Sequence, residues 1–167
     1  MRMNGAHRPV PVEGTTRTLR VFLALAGAAA LLSCSDLNGS KQVDNIDAAQ
    51  ARWQSAHMTR YVFQFSRSCF CAEEITRTIS ITVVGGAPVG AVYVDSGTTV
   101  DTTLFRNYLT VDRIFAYLHS TLNAHPALLT ASYEATLGYP LQVYIDPVAL
   151  TVDDEVTLRI LSLTAAP

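Results

Sequence analysis

The sequence predicts an α+β domain, an antiparallel sheet of about five to six strands with two helices packed on one face, in the order α-β-β-β-α-β-β-β. Three observations predict it. Two segments repeat apolar residues every three or four positions, which is helical spacing. Several others alternate apolar and polar residues at period two, which is the spacing of a half-buried strand. Gly85-Gly86 separates two of these alternations, and a Gly-Gly pair takes the positive φ angles that a tight hairpin demands.

Asp44 or Asn45 caps the first helix, and Ile46, Ala49, Trp53 and Ala56 then share one face as far as about His57. Trp53 is expected to plug the core. Tyr61, Phe63 and Phe65 alternate with Val62, Gln64 and Ser66, a strand with a buried aromatic face. Beyond Cys69-Phe70-Cys71, the alternation Ile75, Arg77, Ile79, Ile81, Val83 reads as a second strand, with Arg77 breaking its apolar face. Pro88 to Val94 is the returning strand, and Ser96 to Thr103 a loop rich in glycine and hydroxyls.

Thr110 caps a second helix, with Asp112 in its first turn where the helix dipole favours an anion. Val111, Ile114, Phe115, Leu118 and Leu122 form its apolar stripe, and it ends near Asn123, before His125-Pro126. Leu128 to Glu134, Leu141 to Asp146 and Val156 to Leu163 are three further strands, separated by Gly138-Tyr139-Pro140 and by Pro147 to Glu155. No repeat is visible residue by residue, although the order of elements repeats and hints at a duplication.

The 167 residues, 49% hydrophobic and 16% charged, suit one small domain and exclude a disordered polyelectrolyte. Twelve Lys and Arg against 14 Asp and Glu leave no basic excess to neutralise phosphates, so nucleic acid is not an expected partner. Arg17 and Arg20 precede an apolar run from Val21 to Leu32 that ends in Leu31-Leu32-Ser33-Cys34. The run is too short for a permanent membrane span, and no polar position interrupts it at helical period.

This segment resembles the signal of bacterial lipoproteins. The resemblance implies a cleaved signal peptide over residues 1–33, a lipidated Cys34 and a flexible tether to residue 43, then one domain over residues 44–167. Acyl chains on Cys34 would anchor the protein to a membrane, and Ser35, which is not Asp, favours the outer membrane facing the periplasm. Removal of residues 1–33 leaves 8 basic and 13 acidic side chains, a net charge of −5. Lipid, and not a basic patch, would then supply the membrane affinity.

Further along, Tyr61-x-Phe63, Cys69-x-Cys71, Thr110-Val111-Asp112-x-Ile114-Phe115 and Tyr133-x4-Gly138-Tyr139-Pro140-x2-Val143-x-Ile145-Asp146 occur in this order. From about Trp53 to Leu163 the chain resembles the DUF6174 family of bacterial lipoproteins and secreted proteins. The resemblance implies a lipid-anchored or secreted α+β domain with a paired Cys-x-Cys. It assigns no activity, substrate or catalytic residue. Gly138, Tyr139, Pro140 and Asp146 stand out as a surface or turn motif.

Cys69 and Cys71 are the side chains that suggest chemistry, and they admit three readings. A disulfide between residues two apart requires a bend at Phe70, which the position between two strands allows, and an exported protein meets an oxidising compartment. So small a ring would be strained, which opens the second reading, a redox or thiol-exchange pair. The third is a metal site of both thiolates with His57 or Glu73. His119 and His125 lie near a helix C-terminus, where a cation is favoured. Asp146 with Asp153-Asp154-Glu155 could bind a calcium ion but lacks EF-hand spacing and reads as a solvated turn. Tyr133, Tyr139 and Tyr144 are candidates for a binding surface. No hydrolase elbow, zinc-protease or phosphate-loop motif is present. The expectation is a non-enzymatic binding or structural module of the cell envelope, with no cofactor, serving an unidentified protein or small molecule; a redox or metal-binding role for Cys69 and Cys71 is the alternative.

Overall fold

The computed structural model describes the backbone of residues 37–167 and the side chains of residues 45–167. The signal segment, Cys34 and Ser35 lie outside the described residues. In chain order the elements are helix α1 (Leu37–Ser55), strand β1 (Arg60–Ser68), the single-turn helix α2 (Glu73–Thr76), β2 (Ile79–Val84), β3 (Ala87–Tyr93), a 3-10 turn (Thr102–Phe105), α3 (Val111–Asn123), β4 (Leu128–Tyr133), β5 (Pro140–Asp146) and β6 (Val156–Ala165). The six strands form one antiparallel sheet in the order β3-β2-β1-β6-β5-β4. The fold is α+β, with the predicted order of major elements.

The period-two pattern decides which face is covered. Tyr61, Phe63 and Phe65 of β1, Ile79, Ile81 and Val83 of β2, Val143 and Ile145 of β5, and Leu158 and Ile160 of β6 all point to one buried side. Helix α1 adds Ile46, Ala49 and Trp53 to the same core, and α3 adds Val111, Ile114, Phe115 and Leu118. Burying side chains of this size contributes about 1.5–3 kcal/mol each, so this layer is what binds helices to sheet. Trp53 meets Tyr61 edge-on with ring centres 5.2 Å apart, and Phe115 stacks on Tyr133 at 6.2 Å.

Local chemistry sets the ends of α3. The Thr110 hydroxyl accepts from the Arg113 N–H at 3.1 Å, as its capping role predicts. The Val111 N–H, also free of a partner within the helix, donates to the Tyr61 hydroxyl. At the other end, His125 adopts a left-handed φ of 54° and its N–H returns to the Leu122 carbonyl at 3.0 Å, with Pro126 next.

Three features differ from the sequence reading. Helix α1 begins at Leu37, not at Asp44 or Asn45, so the backbone read as a tether is helical from that point; extending a helix that already has a nucleus costs little per residue. The alternation beginning at Ile75 is not all strand. Glu73 and Glu74 favour a helix N-terminus, the Thr76 hydroxyl bonds back to the Glu73 carbonyl at 3.0 Å, and β2 starts only at Ile79. The repeated order of elements is also not a repeated arrangement, since β1 is central and β4 is an edge strand.

No helix among the described residues covers the second face of the sheet. It carries Val62, Gln64, Ser66, Ser80, Thr82, Gln142, Tyr144, Thr157 and Arg159, all half-buried or exposed. The two sheet edges differ as well. Along β3 the chain returns to pair with its own edge, with Tyr93 N–H to the Thr98 carbonyl at 2.9 Å and Val100 N–H to the Ala91 carbonyl at 3.1 Å. Strand β4 pairs with β5 alone among the described residues.

Candidate functional site

At the end of β1 the chain turns sharply through Cys69-Phe70-Cys71. The Cys71 N–H donates to the Cys69 carbonyl at 2.9 Å, the tight i to i+2 turn that a bridge between these residues requires. The two Cα atoms are 5.3 Å apart, and the sulfurs are joined in a disulfide. Phe70, at the tip, is 83% exposed. Cys71 is exposed and Cys69 half-buried.

Arg77 holds the following segment in place. Its guanidinium lies 3.8 Å from the centre of the Tyr93 ring, donates through Nε to Asp95 Oδ2 at 2.9 Å, pairs through Nη2 with Asp95 Oδ1, and reaches Ser96 Oγ at 3.0 Å. The hydrogen bond from Arg77 lowers the Asp95 pKa. Tyr93 in turn donates its hydroxyl to the Glu74 carbonyl at 3.3 Å. The residue that interrupts the apolar alternation in the sequence is therefore the one that ties the Cys turn to the end of β3.

Beside this turn, on the uncovered face, lies a depression of about 220 Å³ lined by Ser66, Arg67, Ser68, Thr76, Thr157 and Arg159. The pairing of β1 with β6 assembles it, because Ser66 faces Arg159 and Ser68 faces Thr157 across the ladder. Arg67, between Ser66 and Ser68 in the strand, directs its side chain to the helix-covered face, where its guanidinium carbon lies 5.8 Å from the Tyr108 ring centre and its Nε is buried with no hydrogen-bond partner among the described residues. Arg159 reaches Gln142 through Nε at 3.2 Å. On this face Arg159 lines the depression with the hydroxyls of Ser66, Ser68, Thr76 and Thr157, with no carboxylate among the lining residues, which suits an oxyanion. No linear motif marks it, since its residues come from β1, α2 and β6. The signal available beforehand was parity: serines and threonines at every second position of predicted strands.

The other candidate residues are distributed over the molecule. Gly138 has a φ of 82°, and a Cβ there would overlap the Ala49 carbonyl oxygen and lie 2.9 Å from Arg52 Cβ, so it is a packing glycine under α1. The turn around it is held by the Glu134 carboxylate, which accepts from the Thr136 N–H at 3.0 Å and from Leu137; these bonds lower its pKa. Tyr139 is half-buried and Pro140 opens β5, whereas Asp146 closes the far end of that strand. The motif is thus not one site. Tyr133 points to the core side and Tyr144 to the open face, with burial raising the pKa of both phenols.

His57 lies before the start of β1 and Cys69 just after its end, roughly 30 Å of extended strand apart. The two do not come together. Among the described residues no group of three or more His, Cys, Asp or Glu is placed to hold a metal ion, the Asp146 and Asp153-Asp154-Glu155 set included. His119 is not a terminal residue of α3: its Nε2 pairs with Gln50 Oε1 at 2.8 Å and lies 3.7 Å from Asp47 Oδ1, joining α3 to α1. His125 is the left-handed residue just past the α3 cap. Cys34 lies outside the described residues.

No helix among the described residues is long and apolar enough to cross a membrane. Neither a curated protein nor a solved structure matches the chain. A family model matches residues 45–165, which takes in every described strand, α2, α3 and most of α1. On that match, the chain belongs to DUF6174, a family of unknown function.

Proposed function

We propose that this protein is a lipid-anchored component of the cell envelope whose domain is a non-enzymatic binding module for an anionic group. The observation that carries the binding reading is the depression between β1, α2 and β6, where Arg159 meets four hydroxyls with no carboxylate among the lining residues, in a chain with more acidic than basic residues. The Leu31-Leu32-Ser33-Cys34 sequence supports the anchor.

Calorimetric titration with inorganic phosphate and with a small carboxylate tests the module. Saturable binding that disappears in Arg159→Ala is expected; equal binding by that variant, or none by the native protein, sinks the reading. The anchor is tested separately with Cys34→Ser, which should abolish signal processing and acylation. Continued membrane partition of a shortened Cys34→Ser protein would remove the lipid from the account.

The exposure of Cys71 favours a second reading, a thiol-exchange site. An external thiolate would attack the Cys71 sulfur, forming a mixed disulfide and releasing the Cys69 thiolate. The reduction potential of the pair decides it, since a value below about −300 mV marks a structural bond.

A further inference from the structure

We propose that the exposed edge of β4 is a self-association surface, on which a second copy of this chain pairs its own β4 in antiparallel register. The inference goes beyond the binding module and depends on neither the anion site nor the lipid. It begins from an asymmetry between the two sheet edges. Strand β3 carries Pro88 and a register shift at Thr82/Val83, and its outer edge is occupied by the returning segment around Thr99. Strand β4, Leu128-Leu129-Thr130-Ala131-Ser132-Tyr133, has no proline, glycine or charge, and its one register shift lies at Ser132/Tyr133. Folded proteins block such edges with proline and with a covering segment, the two devices that β3 has and β4 lacks among the described residues.

Backbone alternation shows which groups are free. The Ala127 N–H donates to the Pro147 carbonyl at 3.2 Å, so Ala127, Leu129 and Ala131 direct their backbone groups to β5. Leu128, Thr130 and Ser132 therefore direct theirs outward. All three are exposed, Leu128 at 47%.

That set is self-complementary under a two-fold axis. With Thr130 opposite Thr130 of the second copy, Leu128 falls opposite Ser132 and Ser132 opposite Leu128, and each pair exchanges both N–H···O bonds. Side chains fit the same register. A depression of about 180 Å³ on the open face is lined by Thr130, Ala131, Ser132 and Gln142. The Leu128 side chain of the incoming copy stands directly over Ser132 and diagonal to Thr130, so each copy would seat its exposed leucine in the other's depression. A chain with an excess of acidic residues repels its own copies, and β4 is where two copies meet without opposing like charges.

The test is cross-linking in cells that express the full chain. Thr130→Cys places a thiol opposite its own symmetry mate, at about 5.5 Å between Cα atoms, within disulfide range. Mild oxidation is expected to yield a covalent dimer for Thr130→Cys and little for Val89→Cys, an equally accessible thiol on the other edge strand. Adding Leu128→Asp to Thr130→Cys should lower the dimer yield about tenfold, while its exposed position spares the fold. No dimer from Thr130→Cys, equal dimer from Val89→Cys, or a yield indifferent to Leu128→Asp overturns the proposal.

Discussion

The Tyr61 hydroxyl accepts a hydrogen bond of 3.1 Å from the backbone N–H of Val111, so a strand side chain completes the N-terminus of a helix fifty residues later. Alongside it, the Trp53 indole donates to Asp112 Oδ1 at 3.2 Å, which brings the end of α1 to the start of α3. Both contacts sit over the same end of β1. Removing the Tyr61 hydroxyl would leave the Val111 N–H buried and unpaired. Tyr61→Phe is accordingly expected to destabilise the domain by about 1–3 kcal/mol in urea unfolding, and a change near zero would mean that water reaches Val111.

Alkaline pH should unfold the domain through its buried phenols. Burial pushes Tyr61 and Tyr133 up to about 12 from an unfolded value of 10.0, and it pushes Tyr108 up as well. A phenol whose pKa is higher in the folded state holds its proton more tightly there, so its contribution is complete below about pH 10. It is lost as the pH rises from about 10 through 12. Melting temperatures measured from pH 8 to 12 should be level at first and then fall steeply above 10; a level profile to 11.5 contradicts the burial of these rings.

The disulfide should matter little to global stability. In the chain-entropy account a ring this small contributes about 1–2 kcal/mol. Intact mass should rise by two hydrogens on reduction, and the reduced protein should keep its fold with a modestly lower melting temperature. Unfolding on reduction would show that the turn organises far more of the domain than its contacts imply.

Two glycines separate backbone strain from steric overlap. Gly85 has a φ of 61° and open space where a Cβ would sit, so Gly85→Ala should cost about 1–2 kcal/mol. Gly138→Ala adds overlap with the Ala49 carbonyl and should cost clearly more, because two backbones would have to part. Equal losses in thermal unfolding would mean that α1 gives way freely.

Losing the cap of α3 gives a further measurable change. Thr110 is 3% exposed, and Thr110→Ala removes the acceptor of the Arg113 N–H. The expected cost is about 1 kcal/mol in urea unfolding, with Thr110→Ser restoring most of it.

The sequence by itself determined what depends on near neighbours. Period-two alternation assigned Tyr61, Phe63 and Phe65 to a buried strand face, Gly85-Gly86 assigned the hairpin, with φ angles of 61° and 77°, and Thr110 assigned the start of α3. Each of these follows from local sterics and hydrogen bonding. Local pattern also misled where a tertiary partner prevailed: Ile75 and Arg77 continue an alternation on paper, yet Arg77 is drawn to Asp95 and Tyr93, and the chain before it coils into α2. Only the tertiary structure decided that β1 lies beside β6. That single pairing between the first and last strands brings Ser66 and Ser68 to Thr157 and Arg159, so it creates the cationic depression, and it leaves β4 at an open edge. Strand order is set by which faces and edges can be buried together across the whole chain, a sum over distant residues that no local window contains.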